Sequence, residues 1–180
     1  GQNAYTIHKY IYRKENNSEL FQLGWNKDKN TLYIIDEASM IGSDRENSTF
    51  GSGSLLDDLM RFVFQDSHNG NRLMLVGDDA QLPPVGHSVS PALDVDFLSS
   101  YGLTLCQMQL TQVARQAEDS GILSNATMLR EVLNTNPVCP YSPEMVQESD
   151  DVKFLKSNEI VEEIERSYQQ VGLEEVIIIT

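Results

Sequence analysis

Two short apolar runs, Thr31-Leu-Tyr-Ile-Ile35 and Leu73-Met-Leu-Val76, each stop at an acid-bearing dipeptide, Asp36-Glu37 and Gly77-Asp78. Continuous apolar runs of this length are predicted as strands buried on both faces, the pattern of a parallel sheet. A helix is predicted between them. Ser54 stands at its N-cap, Asp58 falls in its first turn, and Leu55, Leu56, Leu59, Phe62 and Val63 recur at helical spacing. Strand, helix and strand in that order make an α/β unit with a mainly parallel sheet. Functional groups in such sheets gather beyond the carboxyl ends of the strands, where both acidic dipeptides fall.

The remaining chain extends this pattern. Ala4–Tyr12 leads from a loop into a short helix, and Ser43–Ser54 is a loop by its Ser, Gly and Asn content. A third strand is expected over Leu103–Leu110. A helix follows from about Ser120, with Ile122, Leu123, Ala126, Leu129, Val132 and Leu133 on its apolar side. Asn134–Asp151 carries three prolines and a run of acids, as a connection would. Val152–Leu155 reads as a short strand. Ser157 should cap a last helix facing inward through Ile160, Val161, Ile164 and Tyr168 and stopping at Gly172, before a buried strand at Val176–Thr180. The expected division is a first domain over 1–133, a connection over 134–151, and the end of that domain or the start of a second over 152–180.

Bulk properties narrow the class. With 180 residues, 40% of them hydrophobic, the chain can bury a core without disulfide or metal staples. Cys106 and Cys139 lack the number and spacing of a zinc site or disulfide framework, so both are expected as reduced thiols in a cytoplasmic protein. No segment reaches the ~20 apolar residues that span a bilayer. The net charge of −14 argues, on composition alone, against a nucleic-acid partner, because Lys and Arg usually neutralise the phosphates.

Several segments carry candidate chemistry. Asp36 and Glu37 point in different directions from a strand end, so one carboxylate can hold Mg²⁺ while the other polarises an attacking water. Taken alone, the same dipeptide also describes a pair of solvated acids at a strand–loop junction. In Gly77-Asp78-Asp79-Ala80-Gln81-Leu82-Pro83-Pro84-Val85-Gly86, the glycine permits a sharp turn and the prolines stiffen the loop. Gln81 there reads as a positioned sensor of an anionic oxygen, though a simple rigid loop has the same composition. Arg115 lies between the third strand and the next helix. Thr6 and His8, followed by Lys9, Tyr10 and Tyr12, suit contact with phosphates and stacking on bases, though a surface helix turn has the same composition.

The order of these segments adds to their individual meaning. "TIHKYIY", "LYIIDEASM", "LVGDDAQLPPVG" and "LTQVARQAEDSGIL" resemble motifs Ia, II, III and IV of superfamily 1 helicases. The Gly-Asp-x-x-Gln-Leu-Pro-Pro-Val-Gly form is similar to that of the RecD-like branch. The resemblance covers about residues 4–133 and implies a RecA-like P-loop NTPase sheet flanked by helices, with ATP and Mg²⁺ as cofactors. It implies that Asp36 holds Mg²⁺, Glu37 activates the hydrolytic water, Gln81 senses the γ-phosphate and Arg115 contacts it as an arginine finger. Thr6, His8, Pro83, Pro84, Val85 and Gly86 would then line a single-stranded DNA track, with nuclease or recombination subunits as further partners. Such roles suit phosphoryl transfer, which depends on positioning and charge stabilisation.

One departure is large. The 180 residues contain no Gly-Lys dipeptide, so they hold no Gly-x-x-x-x-Gly-Lys-[Ser/Thr] phosphate loop. The resemblance places that loop before residue 1 and the late motor motifs beyond Thr180. The expectation is therefore a motor fragment, incomplete at its N-terminal βα unit and inactive by itself. Two other readings stay open: a P-loop ATPase that drives something other than strand separation, and a degenerate domain kept as a scaffold.

Overall fold

A computed structural model describes residues 4–14, 19–44, 49–66, 68–110, 120–135 and 146–179. The chain divides into two compact units, Gly1–Gln109 and Leu110–Thr180.

In the first unit, the Thr6 hydroxyl accepts from the Lys9 amide at 3.3 Å and caps a short helix, α1 (Ile7–Ile11). The chain passes directly into β1 (Tyr12–Lys14), which pairs antiparallel with β2 (Phe21–Leu23), Tyr12 lying opposite Leu23. Strands this short show no readable alternation, so sequence pattern does not reveal the pair. The expected parallel pair does form. β3 (Leu32–Ile35) and β4 (Arg72–Leu75) run side by side, with Leu32 opposite Arg72 and Ile35 opposite Leu75.

Burial on both faces of this pair does not occur. Tyr33, Ile35, Leu73 and Leu75 pack against a core that includes Leu56, Leu59, Phe62 and Val63 of the intervening helix, α2 (Leu55–Val63). On the opposite face Leu32, Ile34 and Met74 remain 53%, 61% and 50% exposed. A single amphipathic helix has one apolar stripe and so covers one face of a sheet.

Both ends of α2 are tied down. The Ser54 hydroxyl accepts from the Asp57 amide at 3.3 Å, as the sequence predicts. At the other end the carbonyls that a helix leaves without partners are met by buried asparagines. Asn26 donates to the Phe62 carbonyl at 3.0 Å, Asn69 to that of Val63 at 3.0 Å, and Asn71 to Val63 at 3.3 Å. Asn71 also accepts from the Thr31 amide at 3.1 Å, which joins the end of α2 to the start of the parallel pair.

Among the described residues of this unit, Asp58 is the buried acidic side chain. Its Oδ2 accepts from the Tyr12 hydroxyl and from the Ser52 amide, each at 2.8 Å, so one carboxylate joins helix, hairpin and loop. Burial, then the bond to Asp58, pushes the Tyr12 phenol above its ordinary value. Gly51 crosses this point at φ +48, and a Cβ there would overlap the carboxylate and approach Tyr12 Cε1 to 2.6 Å. Only glycine fits.

Beyond β4, Asp94 accepts from the Asp96 and Phe97 amides at 2.9 and 3.2 Å and caps a five-residue helix, α3 (Val95–Ser99), which sends Leu98 into the core. Sequence periodicity could not reveal so short a helix. The strand expected over Leu103–Leu110 is absent: the segment is free of ladder bonding, and Met108 and Leu110 are exposed. Among the described residues β4 pairs with β3 alone, so no neighbour offers this segment a ladder.

The second unit contains α4 (Gly121–Thr135), which starts where the sequence places it. Its N-terminus is capped by a distant residue. Asp151 accepts from the Ser120 hydroxyl at 2.8 Å and from the Gly121 and Ile122 amides at 2.9 and 3.4 Å. Asn125 exchanges two 2.8 Å bonds with the backbone of Gln147. The predicted apolar side is not buried, since Ile122 and Leu133 are exposed. The last helix, α5 (Ile160–Val171), ends at Gly172 with φ +92, as expected, but Ser157 does not cap it. Glu159 takes the N-cap position without a side-chain cap bond, and no residue of α5 is buried. The predicted strand over Val152–Leu155 reduces to a single bridge between Ser149 and Val152. Val176–Ile179 forms no strand and leaves Ile177 and Ile179 exposed. Apolar runs become strands only where a neighbour supplies the ladder. Cys106 is an exposed free thiol, and Cys139 lies outside the described residues.

Two predictions follow from these anchors. Asp58→Ala strips one buried and one part-buried donor of their acceptor and should lower unfolding stability by about 3 kcal/mol, read from denaturant midpoints. Hydrogen bonds from Ser149 and Ser120, then from the backbone, hold the Asp151 carboxyl down to about 2 from an ordinary 3.8. A depressed folded-state value stabilises above the ordinary carboxyl range and is lost as pH falls through about 2. Its carboxyl resonance should therefore titrate near 2, and Asp151→Asn should fray the first turn of α4 at neutral pH.

Candidate functional site

The parallel pair continues past its ladder through two 2.8 Å bonds, from the Val76 amide to Ile35 and from the Ala38 amide to Val76. Asp36-Glu37 and Gly77-Asp78 therefore leave their strands side by side. Glu37 sits at φ 53, ψ 38, a left-handed conformation that costs a non-glycine residue ~1 kcal/mol. Asp36 Oδ1 accepts from the Glu37 amide at 3.0 Å, and both carboxylates face solvent. A short 3₁₀ turn, Ala38–Met40, then drives Ala38 and Ser39 inside. The Ser39 hydroxyl is fully buried and has no partner among the described residues.

Gly77 makes this proximity feasible. A Cβ at that position would lie 2.8 Å from the Ser39 amide nitrogen and 3.0 Å from Leu93 Cδ1, so bare backbone must pass between them. Asp78 Oδ1 accepts from Ala80 at 3.0 Å and its carbonyl accepts from the Gln81 amide at 3.2 Å, closing a tight turn. Gln81 is exposed at the edge of an open cavity of about 250 Å³ whose walls include Asp79, Pro83, Ser90, Leu93 and Asp94. The Ser90 hydroxyl is buried and also lacks a partner among the described residues. Pro83 and Pro84 are half-buried, Val85 is almost wholly exposed, and Gly86 turns the chain at φ +87.

The structure thus brings Asp36 and Glu37 beside the segment that carries Gln81 and Pro83–Gly86. Thr6 and His8 belong to a different part of the unit, on α1 and against the hairpin. Thr6 is engaged in capping, and the His8 ring lies 5.0 Å from the Phe50 ring and 5.7 Å from that of Tyr12. Arg115 lies outside the described residues. Ser39 and Ser90 were not singled out in the sequence. Their hydroxyls matter only because the fold buries them without partners, which no spacing reveals.

A family model described as an AAA domain matches residues 1–136. The chain belongs to the AAA domain family. No curated protein and no solved structure matches it. The AAA domain is a P-loop α/β domain of the nucleotide-binding kind, and NTP hydrolysis is its general chemistry. ATP with Mg²⁺ is the group this family implies. Among the described residues of this AAA domain no three His, Cys, Asp or Glu side chains gather into a metal cage. Mg²⁺ does not require one, because it is commonly held by one or two carboxylates together with water and phosphate oxygens. An exposed Asp36 at a strand end fits that need. No helix among the described residues is long and apolar enough to cross a membrane.

The close approach at Gly77 yields a sharp test. Gly77→Ala should push the two strand ends apart and cost about 2 kcal/mol of stability, as overpacking does. Thermal unfolding checks the cost, and amide exchange at Ala38 should accelerate with it.

Proposed function

We propose that this AAA domain is part of the motor core of a RecD-like, ATP-dependent DNA helicase or translocase that couples Mg-ATP hydrolysis to movement on single-stranded DNA. The observation that carries this reading is the Ala38–Val76 bond, which sets an Asp-Glu pair next to a Gly-Asp-x-x-Gln-Leu-Pro-Pro loop. Hydrolysis needs a metal ligand and a water-activating base near one another, and coupling needs a mobile group that senses phosphate close to both.

In this reading Asp36 holds Mg²⁺, the ion that offsets charge on the phosphates. Glu37, exposed at the left-handed step that follows Asp36, takes a proton from the attacking water. Gln81 contacts the γ-phosphate and passes its presence to the Pro83–Gly86 loop, while Arg115 stabilises charge as an arginine finger. Thr6, His8 and Pro83–Gly86 meet single-stranded DNA through backbone, hydroxyl and stacking contacts. The larger RecA-like sheet, the nuclease or recombination partners and a role in DNA repair belong to the same proposal.

The net charge of −14 favours a second reading, a P-loop ATPase that acts on something other than nucleic acid. Turnover by the full-length protein, measured with and without single-stranded DNA, separates the two. The motor reading expects DNA to accelerate Mg²⁺-dependent hydrolysis, and Glu37→Gln to lower turnover by at least ~10²-fold. Hydrolysis indifferent to DNA would favour the second reading, and hydrolysis indifferent to Glu37→Gln would remove Glu37 from the chemistry.

A further inference from the structure

The loop Pro83–Gly86 is held from outside its own sequence, by the segment that follows the acidic pair. His87 Nε2 lies 3.1 Å from Asp44 Oδ2, with the ring largely enclosed and the carboxylate largely exposed. Nε2 is sealed from solvent and makes no well-aligned hydrogen bond, so this approach to Asp44 is its polar contact among the described residues. The His87 amide donates to the Pro84 carbonyl at 3.0 Å, closing the turn that carries Val85 and Gly86.

Two glycines sit at the same junction. A Cβ on Gly42 would stand 3.4 Å from Pro84 Cβ and 3.8 Å from His87 Nε2. A Cβ on Gly86, whose φ is +87, would stand 3.4 Å from Asp44 Oδ2. The stretch Gly42–Asp44 therefore lies directly against Pro84–His87. It also follows the buried turn Ala38–Met40, which is fixed to the end of β4 by the Ala38–Val76 bond. A short covalent path therefore runs from Asp36-Glu37 to Asp44, and the approach of Asp44 to His87 continues it to the stiff Pro-Pro turn.

We propose that His87 is a positioning residue which, with Asp44, clamps the Pro83–Gly86 loop to the segment following Asp36-Glu37 and so sets that loop's geometry toward single-stranded DNA. The proposal rests on the motor reading above for its DNA-facing consequence, whereas the clamp itself does not. A pair with one exposed partner adds little to global stability. Its effect belongs in the loop.

The test is a double-mutant cycle in the full-length protein with His87→Ala, Asp44→Ala and both, plus His87→Gln, whose amide can reach the same carboxylate. The first readout is amide hydrogen exchange across 81–88 without DNA. Each single variant should accelerate exchange, the double should do no more than either, and His87→Gln should restore protection. Additive effects, or none, would overturn the clamp whatever the protein binds. The second readout is ATP turnover against concentration of oligo-dT. The clamp predicts unchanged turnover without DNA and about a tenfold higher oligo-dT concentration for half-maximal stimulation, equivalent to about 1.4 kcal/mol of DNA binding. An equal fall in turnover with and without DNA would mean a merely structural role and overturn the proposal. If the unsubstituted protein is not stimulated by oligo-dT, the DNA-facing role is overturned along with the motor reading, and exchange alone decides whether the clamp exists.

Discussion

The Ala38 amide donates to the Val76 carbonyl at 2.8 Å, just beyond the last pair of the parallel strands, Ile35 with Leu75. Without that bond the two strands could splay at their carboxyl ends, where loops of different length and composition begin. With it, an Asp-Glu pair and a Gly-Asp turn share one rim of the sheet. The arrangement depends on backbone passing where no side chain fits, at Gly77, and on Ala38 and Ser39 being small enough to enter the core. It also depends on α2 being fixed at both ends, by Ser54 and by the three buried asparagines, so that the core beneath the rim does not shift. A buried Asp58 completes the support by joining Tyr12 and the Ser52 backbone to the same helix.

The parallel pair and α2 were legible in the sequence because each carries a strong local signal. Thr31–Ile35 and Leu73–Val76 are short, continuous and bounded by acids or glycine, and Ser54 introduces a clean apolar stripe. Gly172 was legible for the same reason, since a helix stop at positive φ calls for glycine. The hairpin of Tyr12–Lys14 with Phe21–Leu23 was not, because three residues per strand leave no period to read. The strand expected over Leu103–Leu110, and the described part, Val176–Ile179, of that expected over Val176–Thr180, do not form, for a complementary reason. A run of apolar residues states a propensity, whereas a strand is a relation between two segments. Ser157 failed as a cap because Glu159 is already folded back to the Lys156 amide.

The site was legible in part. Motif spacing identified Asp36, Glu37 and Gln81 as candidates, and the pairing of β3 with β4 explains how the first two come to stand beside the segment of the third. The partnerless Ser39 hydroxyl and the approach of His87 to Asp44 were invisible, because each arises from a loop path that the sequence does not encode locally. The open face formed by Leu32, Ile34 and Met74 was hidden too. The sequence indicates that these residues are apolar, but not that α2 covers only the other side.

The proposed motor requires the rim of the parallel pair to be a nucleotide-metal site. The most direct measurement is calorimetric titration of ATP into the full-length protein with and without Mg²⁺, repeated for Asp36→Asn. Mg²⁺ should tighten ATP binding in the unsubstituted protein, and this gain should disappear in Asp36→Asn while metal-free affinity is retained. An undiminished gain from Mg²⁺ in the variant would contradict the assignment of Asp36 as the metal ligand and, with it, the placement of the chemistry at these strand ends.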